Sequence, residues 1–227
     1  MASITVENYL KQILLLSLEN EKRPVAMGRI AKKMKVVPGT ATTMVKSLEE
    51  SDWVYYEPRK GVRLTNKGRQ LAIRVLRKHR IVEMFLVKVL DLDWTEINEE
   101  AELLEHAVSD KLVERMDQFL GHPSVDPHGD PIPSPTGKLE KSRLVALNEA
   151  AMGAELEVSR ITRQDGEFLQ YIHDNGLIPG TMVSIERKDA MADLLEVQIE
   201  GKSNTLSIGG TPASDVWVTE RIGEDEE

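Results

Sequence analysis

Acidic and imidazole side chains recur at short spacings in three places in the middle of the chain. Residues at i, i+3 and i+4 of a helix share one face, where their side chains can hold the same cation. Carboxylate oxygens and imidazole nitrogens are common protein ligands of divalent metals. The three groups are Glu102, Glu105 and His106; His79 and Glu83; and Asp126 and His128. Together they predict metal binding.

The absence of cysteine narrows the kind of metal site. A chain of 227 residues without cysteine has no disulfide, no thiolate ligand and no cysteine nucleophile. Oxygen-rich sites with one imidazole suit Mn²⁺ or Fe²⁺ better than structural Zn²⁺. A solvated acidic helix face would explain Glu102-x-x-Glu105-His106 taken alone, but three such groups in one chain favour a metal.

The first 65 residues carry the pattern of a winged helix-turn-helix. Apolar spacing predicts three helices, and two β-rich runs around a tip containing Pro58 and Gly61 predict a hairpin. Thr5 can cap the first helix, and Pro38 and Gly39 mark a turn before the third. The helices are predicted at 6–19, 25–34 and 40–50, and the hairpin strands at 53–56 and 62–64.

Charge is divided unevenly along the chain, whose net charge is −9. Residues 1–90 carry 18 Lys and Arg against 8 Asp and Glu, and residues 91–227 carry 11 against 30. A basic segment that contains a helix-turn-helix indicates DNA binding. The predicted contacts are Arg29, Thr40, Thr42, Thr43, Lys46, Arg59 and Lys60. A winged helix used only for protein contacts is the alternative.

Two further helices are predicted after the hairpin. Thr65 and Asn66 cap a long helix that ends near Leu90, and another helix starts at Trp94 and continues, with a shift in register, to about Leu120. Their apolar surface exceeds what one small unit can bury, which predicts a partner face on a second copy.

The last part of the chain changes from helical to alternating patterns. Residues 121–137 contain five of the ten prolines, which predicts an ordered loop or linker. Short strands then surround one helix, a pattern typical of a small SH3-like β-barrel. The strands are predicted at 156–161, 183–187, 194–199 and 205–208, the helix at 167–175, and a disordered acidic tail at 224–227.

Several of these motifs stand together in one known order. The run Arg77-Lys78-His79-Arg80, the Glu102-x-x-Glu105-His106 motif and the loop from Asp126 to Pro133 resemble the diphtheria-toxin-repressor family of iron- or manganese-dependent transcriptional regulators. The resemblance covers nearly the whole chain. It implies a mainly α protein with a small β part: an N-terminal winged helix-turn-helix, a helical dimerisation domain and a C-terminal FeoA/SH3-like β-barrel.

Domain boundaries follow from the patterns and the resemblance. We predict a DNA-binding domain at 1–72, a helical metal-binding and dimerisation domain with the Pro-rich loop at 73–137, a linker or helix at 138–152, the FeoA/SH3-like domain at 153–220 and an acidic tail at 221–227.

The resemblance implies a primary metal site formed by Glu102, Glu105 and His106 with Asn8 of the first helix. The position of Asn8 is Met or Asp in relatives. Position 102 is Cys in iron-type members and Glu in manganese-type members, so Glu102 favours the harder ion Mn²⁺. A first-helix position that is acidic in some manganese-type relatives is Lys11 here, which argues against a binuclear site of that type.

An ancillary site is implied at His79, Glu83, Asp126 and His128. Relatives with a C-terminal barrel place Cys-Pro-His in this loop, where the present chain has Asp126 in place of the cysteine. Iron-type members use a histidine at the position of Asn98. The barrel would add one ligand from the group Gln164, Asp165 and Glu167.

These features predict a cytoplasmic, homodimeric repressor of metal-uptake genes, activated by Mn²⁺ in preference to Fe²⁺, that binds double-stranded operator DNA and has no catalytic activity. Two other readings stay open. A metal-dependent hydrolase would use a metal-bound water, although no H-E-x-x-H or phosphate-loop motif is present. A winged-helix regulator that senses an organic ligand would bind DNA regardless of chelators.

Overall fold

The computed structural model describes residues 2–20, 22–140 and 143–221. They form eight helices and eight strands: α1 Ile4–Leu18, α2 Met27–Lys33, α3 Pro38–Glu50, β1 Val54–Glu57, β2 Gly61–Leu64, α4 Asn66–Leu90, α5 Ile97–Leu104, α6 Asp110–Phe119, β3 Val145–Ala146, β4 Leu156–Ile161, α7 Gly166–Asn175, β5 Met182–Asp189, β6 Leu194–Ile199, β7 Leu206–Gly209, α8 Gly210–Ala213 and β8 Val216–Glu220. The predicted class, mainly α with a smaller β part, is confirmed. None of the described helices combines the length and apolarity needed to cross a membrane.

The chain divides into two compact units, and α4, α5 and α6 contribute residues to both. Unit one contains residues 1–79, 102–114 and 133–139, and unit two contains 80–101, 115–132 and 140–227. Of the predicted acidic tail at 221–227, only Arg221 lies within the described residues.

Unit one begins with the predicted winged helix-turn-helix. Side chains of α1, α2, α3 and the hairpin share one apolar core that includes Leu10, Ile30 and Val45, each fully buried. α1 starts earlier than predicted because Ser3, and not Thr5, is its cap: the Ser3 hydroxyl oxygen accepts from the Val6 N–H at 3.3 Å.

The second and third helices also differ at their starts from the sequence prediction. Val25 does not begin α2 but pairs with Val62 of β2 through two backbone hydrogen bonds of 2.8 and 2.9 Å. Pro38 and Gly39, predicted as a turn, are the first residues of α3. Proline fits the first helical turn because its missing N–H would have no intrahelical partner there.

A threonine cap starts α4 as predicted. The Thr65 hydroxyl oxygen accepts from the Gly68 N–H at 3.0 Å, and its hydroxyl donates to the Asp52 carbonyl at 2.9 Å. The helix then continues for 25 residues. Thr65 therefore joins the end of the winged helix to the start of the long helix.

The single helix predicted from Trp94 to Leu120 is wrong. Trp94 lies in a turn, α5 ends at Leu104, and α6 starts at Asp110. The Ser109 hydroxyl oxygen accepts from the Leu112 N–H at 3.2 Å and so caps α6. As a result, Glu105 and His106 lie in the turn after α5 and not on a helix face with Glu102.

Unit two contains a six-stranded antiparallel sheet in the order β3-β8-β4-β5-β6-β7. β4 and β6 coincide with the predicted strands, and α7 begins one residue earlier than predicted. β3, β8 and the short helix α8 were not predicted. The segment 138–152, expected to be a linker or helix, supplies β3 and the buried core residues Leu147 and Ala150.

We predict that Thr65→Ala lowers the free energy of unfolding by about 1 kcal/mol, because it removes a cap whose hydroxyl is largely buried. The measurement is a urea unfolding curve followed by circular dichroism. Thr65→Ser keeps the hydroxyl and should retain most of the stability. Equal losses in the two variants would mean that the methyl packing, and not the cap, is what matters.

Candidate metal sites and nucleic-acid interface

The first cluster of unit one is centred on a lysine. The Lys11 ammonium of α1 donates to both oxygens of Glu105 at 2.7 and 2.8 Å and to Glu102 Oε1 at 3.2 Å. Lys11 and Glu105 are almost completely buried, and Glu102 is partly exposed. Glu102 and Glu105, two of the predicted primary ligands, are therefore paired with the ammonium group of Lys11.

Histidines complete this cluster on two sides. His79 Nδ1 lies 2.6 Å from Glu105 Oε2, and His106 Nε2 lies 3.2 Å from Glu105 Oε1. His106 Nε2 also lies 2.7 Å from Asn8 Oδ1. Its other nitrogen, Nδ1, lies 2.6 Å from Glu7 Oε2. All four predicted primary ligands thus meet in unit one, together with three residues that were not predicted to join them.

Burial raises the pKa of Glu105, but the hydrogen bond from His79 and the charge of Lys11 lower it by more, so that its pKa lies below the ordinary value. Glu105 is thus held as a carboxylate. Since the Lys11 ammonium occupies the space beside both of its oxygens, a metal ion could bind there only after the ammonium has moved away.

The second cluster lies in unit two. Glu83 of α4, Asp126 and His128 each offer one ligand atom, and these three atoms lie within 4.8 Å of one another. All three side chains are buried. Two carboxylates and an imidazole in one buried place form a donor set that fits a divalent cation.

The imidazole of His128 is held in one orientation. His128 Nε2 lies 3.0 Å from the Trp94 carbonyl oxygen, an acceptor, so Nε2 carries the proton and donates. Its other nitrogen, Nδ1, lies 3.9 Å from Glu83 Oε1. A carbonyl that fixes the tautomer of a histidine is a common support for metal ligation.

Backbone groups hold Asp126 within its loop. Asp126 Oδ1 accepts from the N–H groups of His128 at 2.9 Å and Asp130 at 3.0 Å, while Oδ2 lies 3.3 Å from Arg80 Nε. Burial, with the nearby carboxylates of Asp130 and Glu83, raises the pKa of Asp126 well above its ordinary value, and Arg80 offsets this only in part. Burial is thus the main effect that opposes an ionised Asp126, and the neighbouring carboxylates add to it.

The loop of the second cluster is packed tightly against β4. Gly129 has φ +84°, and a Cβ at this position would lie 1.9 Å from the Ser159 carbonyl oxygen. The Ile161 N–H donates to the His128 carbonyl at 2.8 Å. Only glycine fits this approach, and the Gly129 N–H donates to the Asp126 carbonyl at 3.0 Å, so Asp126 and His128 belong to one turn held against β4.

Other predicted ligands have different partners. His79 Nδ1 lies 2.6 Å from Glu105 Oε2 in the first cluster. Asp165 caps α7 and pairs with Arg163, and Glu167 lies in the first turn of α7. Gln164 donates to Asp130 at 3.0 Å. Among the described acidic and histidine side chains, those that come together in this group are Glu83, Asp126 and His128, and none of them belongs to the barrel.

The predicted DNA contacts lie on the exposed side of the winged helix. On α3, Thr40, Thr43 and Lys46 are exposed, and Thr42 is partly buried. The Thr42 and Thr43 hydroxyls donate to the carbonyls of Pro38 and Gly39 at 2.8 and 3.1 Å. Their oxygens can then accept hydrogen bonds from DNA, and their methyl groups remain available for thymine contacts.

Basic residues near α3 are also exposed. Arg59 stands at the hairpin tip, at φ +69°. Lys60 pairs with Glu57 at 2.6 Å, and Arg29 pairs with Glu19. Exposed ion pairs of this kind are weak, so a phosphate can exchange for the carboxylate.

Sequence reasoning did not predict three contributors to the two clusters: Lys11 as a bound cation, Glu7 as partner of His106, and the Trp94 carbonyl as support for His128. From the sequence, Lys11 was considered only as a position at which some relatives have an acidic ligand. Its spacing from Asn8, i and i+3 on α1, was the available signal, because it places both residues on one helical face. A backbone carbonyl leaves no signal in the sequence.

Three family models match consecutive parts of the chain. The N-terminal DNA-binding domain of iron-dependent repressors matches residues 1–62, the metal-binding and dimerisation domain of iron-dependent repressors matches 65–134, and the FeoA domain matches 145–220. The diphtheria toxin repressor of Corynebacterium glutamicum is 31 % identical over 202 residues, which cover 80 % of this chain and 83 % of that protein. The chain belongs to the diphtheria toxin repressor family.

Other members of the diphtheria toxin repressor family are equally similar. The iron-dependent repressor IdeR of Mycobacterium tuberculosis is 32 % identical over 80 % of this chain and 84 % of its own. A solved structure of a manganese-dependent transcriptional repressor in complex with manganese has 33 % identity and a TM-score of 0.86, covering 95 % of this chain and 100 % of that one. The family consists of metal-dependent DNA-binding transcriptional repressors, which are not enzymes.

We predict that Asp126→Asn weakens Mn²⁺ binding by at least about tenfold, because the amide keeps the backbone hydrogen bonds of Oδ1 but removes a ligand charge. Isothermal titration calorimetry of both variants measures the effect. Asp165→Asn is the matched control: it changes the same charge at a predicted ligand that lies outside the group, and Asn still caps α7. A larger loss in Asp165→Asn would exchange the roles of the two residues.

Proposed function

We propose that this chain is a cytoplasmic, metal-activated repressor that binds operator DNA as a homodimer and controls genes for metal uptake. The buried group of Glu83, Asp126 and His128 is the observation that carries the proposal, since it provides a divalent-cation site in a chain that also has a DNA-binding winged helix. When bound, the metal supplies positive charge that links side chains from different elements.

Two metal sites per subunit are proposed. Glu83, Asp126 and His128 form one, and Glu102, Glu105, His106 and Asn8 form the other once Lys11 has moved away. The second set joins α1 of the winged helix to the turn between α5 and α6. An ion there would thus connect the DNA-binding region to the region that the family model describes as metal binding and dimerisation.

Mn²⁺ is the proposed activator in preference to Fe²⁺. Each site has two carboxylates and one imidazole, the second site adds the amide oxygen of Asn8, and the chain has no cysteine to favour a softer ion. The solved relatives include a manganese-dependent repressor and the manganese regulator SloR, which is 34 % identical with a TM-score of 0.76 over 95 % of this chain and 98 % of that one. IdeR is named as iron-dependent, so the choice depends on the donors of this chain.

DNA recognition is assigned to α3 and the hairpin. Thr40, Thr42 and Thr43 would contact base edges or phosphates in the major groove, where small side chains allow close approach. Arg29 and Lys46 would bind phosphates beside the helix, and Arg59 and Lys60 would do so from the hairpin tip.

Exposed apolar side chains support the proposed homodimer. Leu103 of α5 is 72 % exposed, and Leu112 of α6 is 46 % exposed. Phe119, at the end of α6, is 73 % exposed. Apolar side chains of this size on helices named for dimerisation are expected to pack against a second copy.

We predict that Mn²⁺ is required for tight binding to duplexes selected from a random DNA library, as measured by fluorescence anisotropy. Lys46→Ala and Arg59→Ala should each weaken binding to all sequences and lower the slope of log affinity against log salt by about one, the value for one lost phosphate contact.

The matched control for these variants is Lys111→Ala, which removes an exposed lysine on α6 and should leave the slope unchanged. Equal affinity in EDTA and in Mn²⁺ would contradict the proposal and favour a regulator of the organic-ligand type. Turnover of a phosphodiester or peptide substrate would favour the hydrolase.

Leu103→Glu should convert the dimer to monomers by weakening association about 100-fold, because a charge replaces apolar contact and faces its own copy across a twofold axis. Sedimentation equilibrium measures the change. Met152→Glu, which alters another exposed apolar side chain, should remain dimeric. A dimeric Leu103→Glu protein would place the interface elsewhere.

A further inference from the structure

Lys11 is a charged side chain inside unit one. Its side chain is only 2 % exposed, and its ammonium makes three hydrogen bonds, two to Glu105 and one to Glu102. A lysine is rarely buried this completely unless acidic groups compensate its charge. The two glutamates provide that compensation, so the folded arrangement of this cluster includes the lysine.

The ammonium uses the same oxygens that a metal would use. Glu105 Oε1 and Oε2 lie 2.7 and 2.8 Å from Lys11 Nζ, and Glu102 Oε1 lies 3.2 Å from it. A divalent ion held by these oxygens would lie close to the position of Nζ. Two cations cannot share that place, because of both their size and their mutual repulsion.

Charge explains why a metal could still replace the lysine. The Lys11 ammonium brings one positive charge to two carboxylates, and His79 adds a further favourable contact at Glu105. A divalent ion supplies twice the charge of the ammonium and accepts lone pairs from the oxygens of Glu102, Glu105 and Asn8. His106 could join them once Nε2 no longer donates to Asn8 Oδ1. Replacement therefore gains electrostatic energy but requires breaking three charge-assisted hydrogen bonds.

We propose that Lys11 is an internal competitor for divalent cations at the Glu102–Glu105–His106 cluster. The Lys11 side chain holds the two glutamates together in the metal-free chain and must leave them before an ion can bind. It thereby raises the metal concentration at which this cluster fills. The inference deepens the proposed function, on which its biological meaning rests, but the competition itself does not involve DNA.

The first experiment counts and ranks bound Mn²⁺, using the electron paramagnetic resonance signal of free Mn²⁺ and the full-length chain. Lys11→Met removes the charge and keeps most of the side-chain length. The more weakly bound Mn²⁺, which the proposal assigns to the Glu102–Glu105–His106 cluster, should therefore bind at least about tenfold more tightly than in the parent. Lys11→Arg keeps a cation and should not gain affinity. Lys78→Met is the matched control, because Lys78 is a partly buried lysine that pairs with Asp110 outside the cluster.

The result that overturns the proposal is folded Lys11→Met protein, shown by circular dichroism, whose weaker Mn²⁺ affinity equals that of the parent. An equal gain in Lys78→Met would also overturn it, since the effect would then come from overall charge. Both results leave the metal dependence of DNA binding to be judged by its own assay.

A second experiment uses the parent chain and does not depend on how Lys11→Met folds. Short acetylation with an amine-reactive ester, read by peptide mass spectrometry, should spare Lys11 without metal and modify Lys60, whose side chain is 71 % exposed. Acetylation of Lys11 should rise at least about fivefold as Mn²⁺ fills the second site, because the amine is released to solvent. Continued protection of Lys11 at Mn²⁺ saturation would overturn the proposal.

Discussion

Buried carboxylates are the constraint around which this chain is organised, because an ionised acid is costly to bury without positive partners. Glu105 receives a lysine and a histidine, and its pKa falls. Asp126 receives two backbone N–H groups and an arginine but faces two more carboxylates, and its pKa rises. Glu105 is thus held ionised by side chains of the protein, whereas burial and the carboxylates of Asp130 and Glu83 oppose an ionised Asp126. A cation could reach the oxygens of Glu105 only by displacing Lys11.

Local signals in the sequence predicted much of the fold. The cap at Thr65, the alternating runs of β4 and β6 and the periodicity of α3 are each encoded within a few residues, and the structure contains all three. The break between α5 and α6 was missed because the apolar pattern continues through it. A serine such as Ser109 does not by itself identify the start of a helix, since most serines are not caps. β8 was missed because its pairing with β4 joins residues about 60 positions apart, which no local pattern records.

Many residues of the candidate sites could be predicted, but the side chains that they contact could not. The family resemblance grouped His79 and Glu83 with Asp126 and His128, and ligand atoms of Glu83, Asp126 and His128 lie within 4.8 Å of one another. The contact between His79 and Glu105 was not predicted, because it joins residues 26 positions apart. The contacts of Lys11 with Glu102 and Glu105 were not predicted either, because a positively charged side chain does not bind a metal ion and so was not expected among metal ligands.

The close approach of Gly129 to β4 makes the loop that carries Asp126 and His128 depend on the β-rich region. The loop that carries Asp126 and His128 is anchored by Ile161, Ser159 and Gln164, all of which belong to the β-rich region. A variant of this chain cut off before β4 would lose all of these contacts. Asp126 and His128 would then lack the backbone support that fixes their positions, so the sheet contributes to the second cluster without supplying a ligand side chain from among its acidic and imidazole groups.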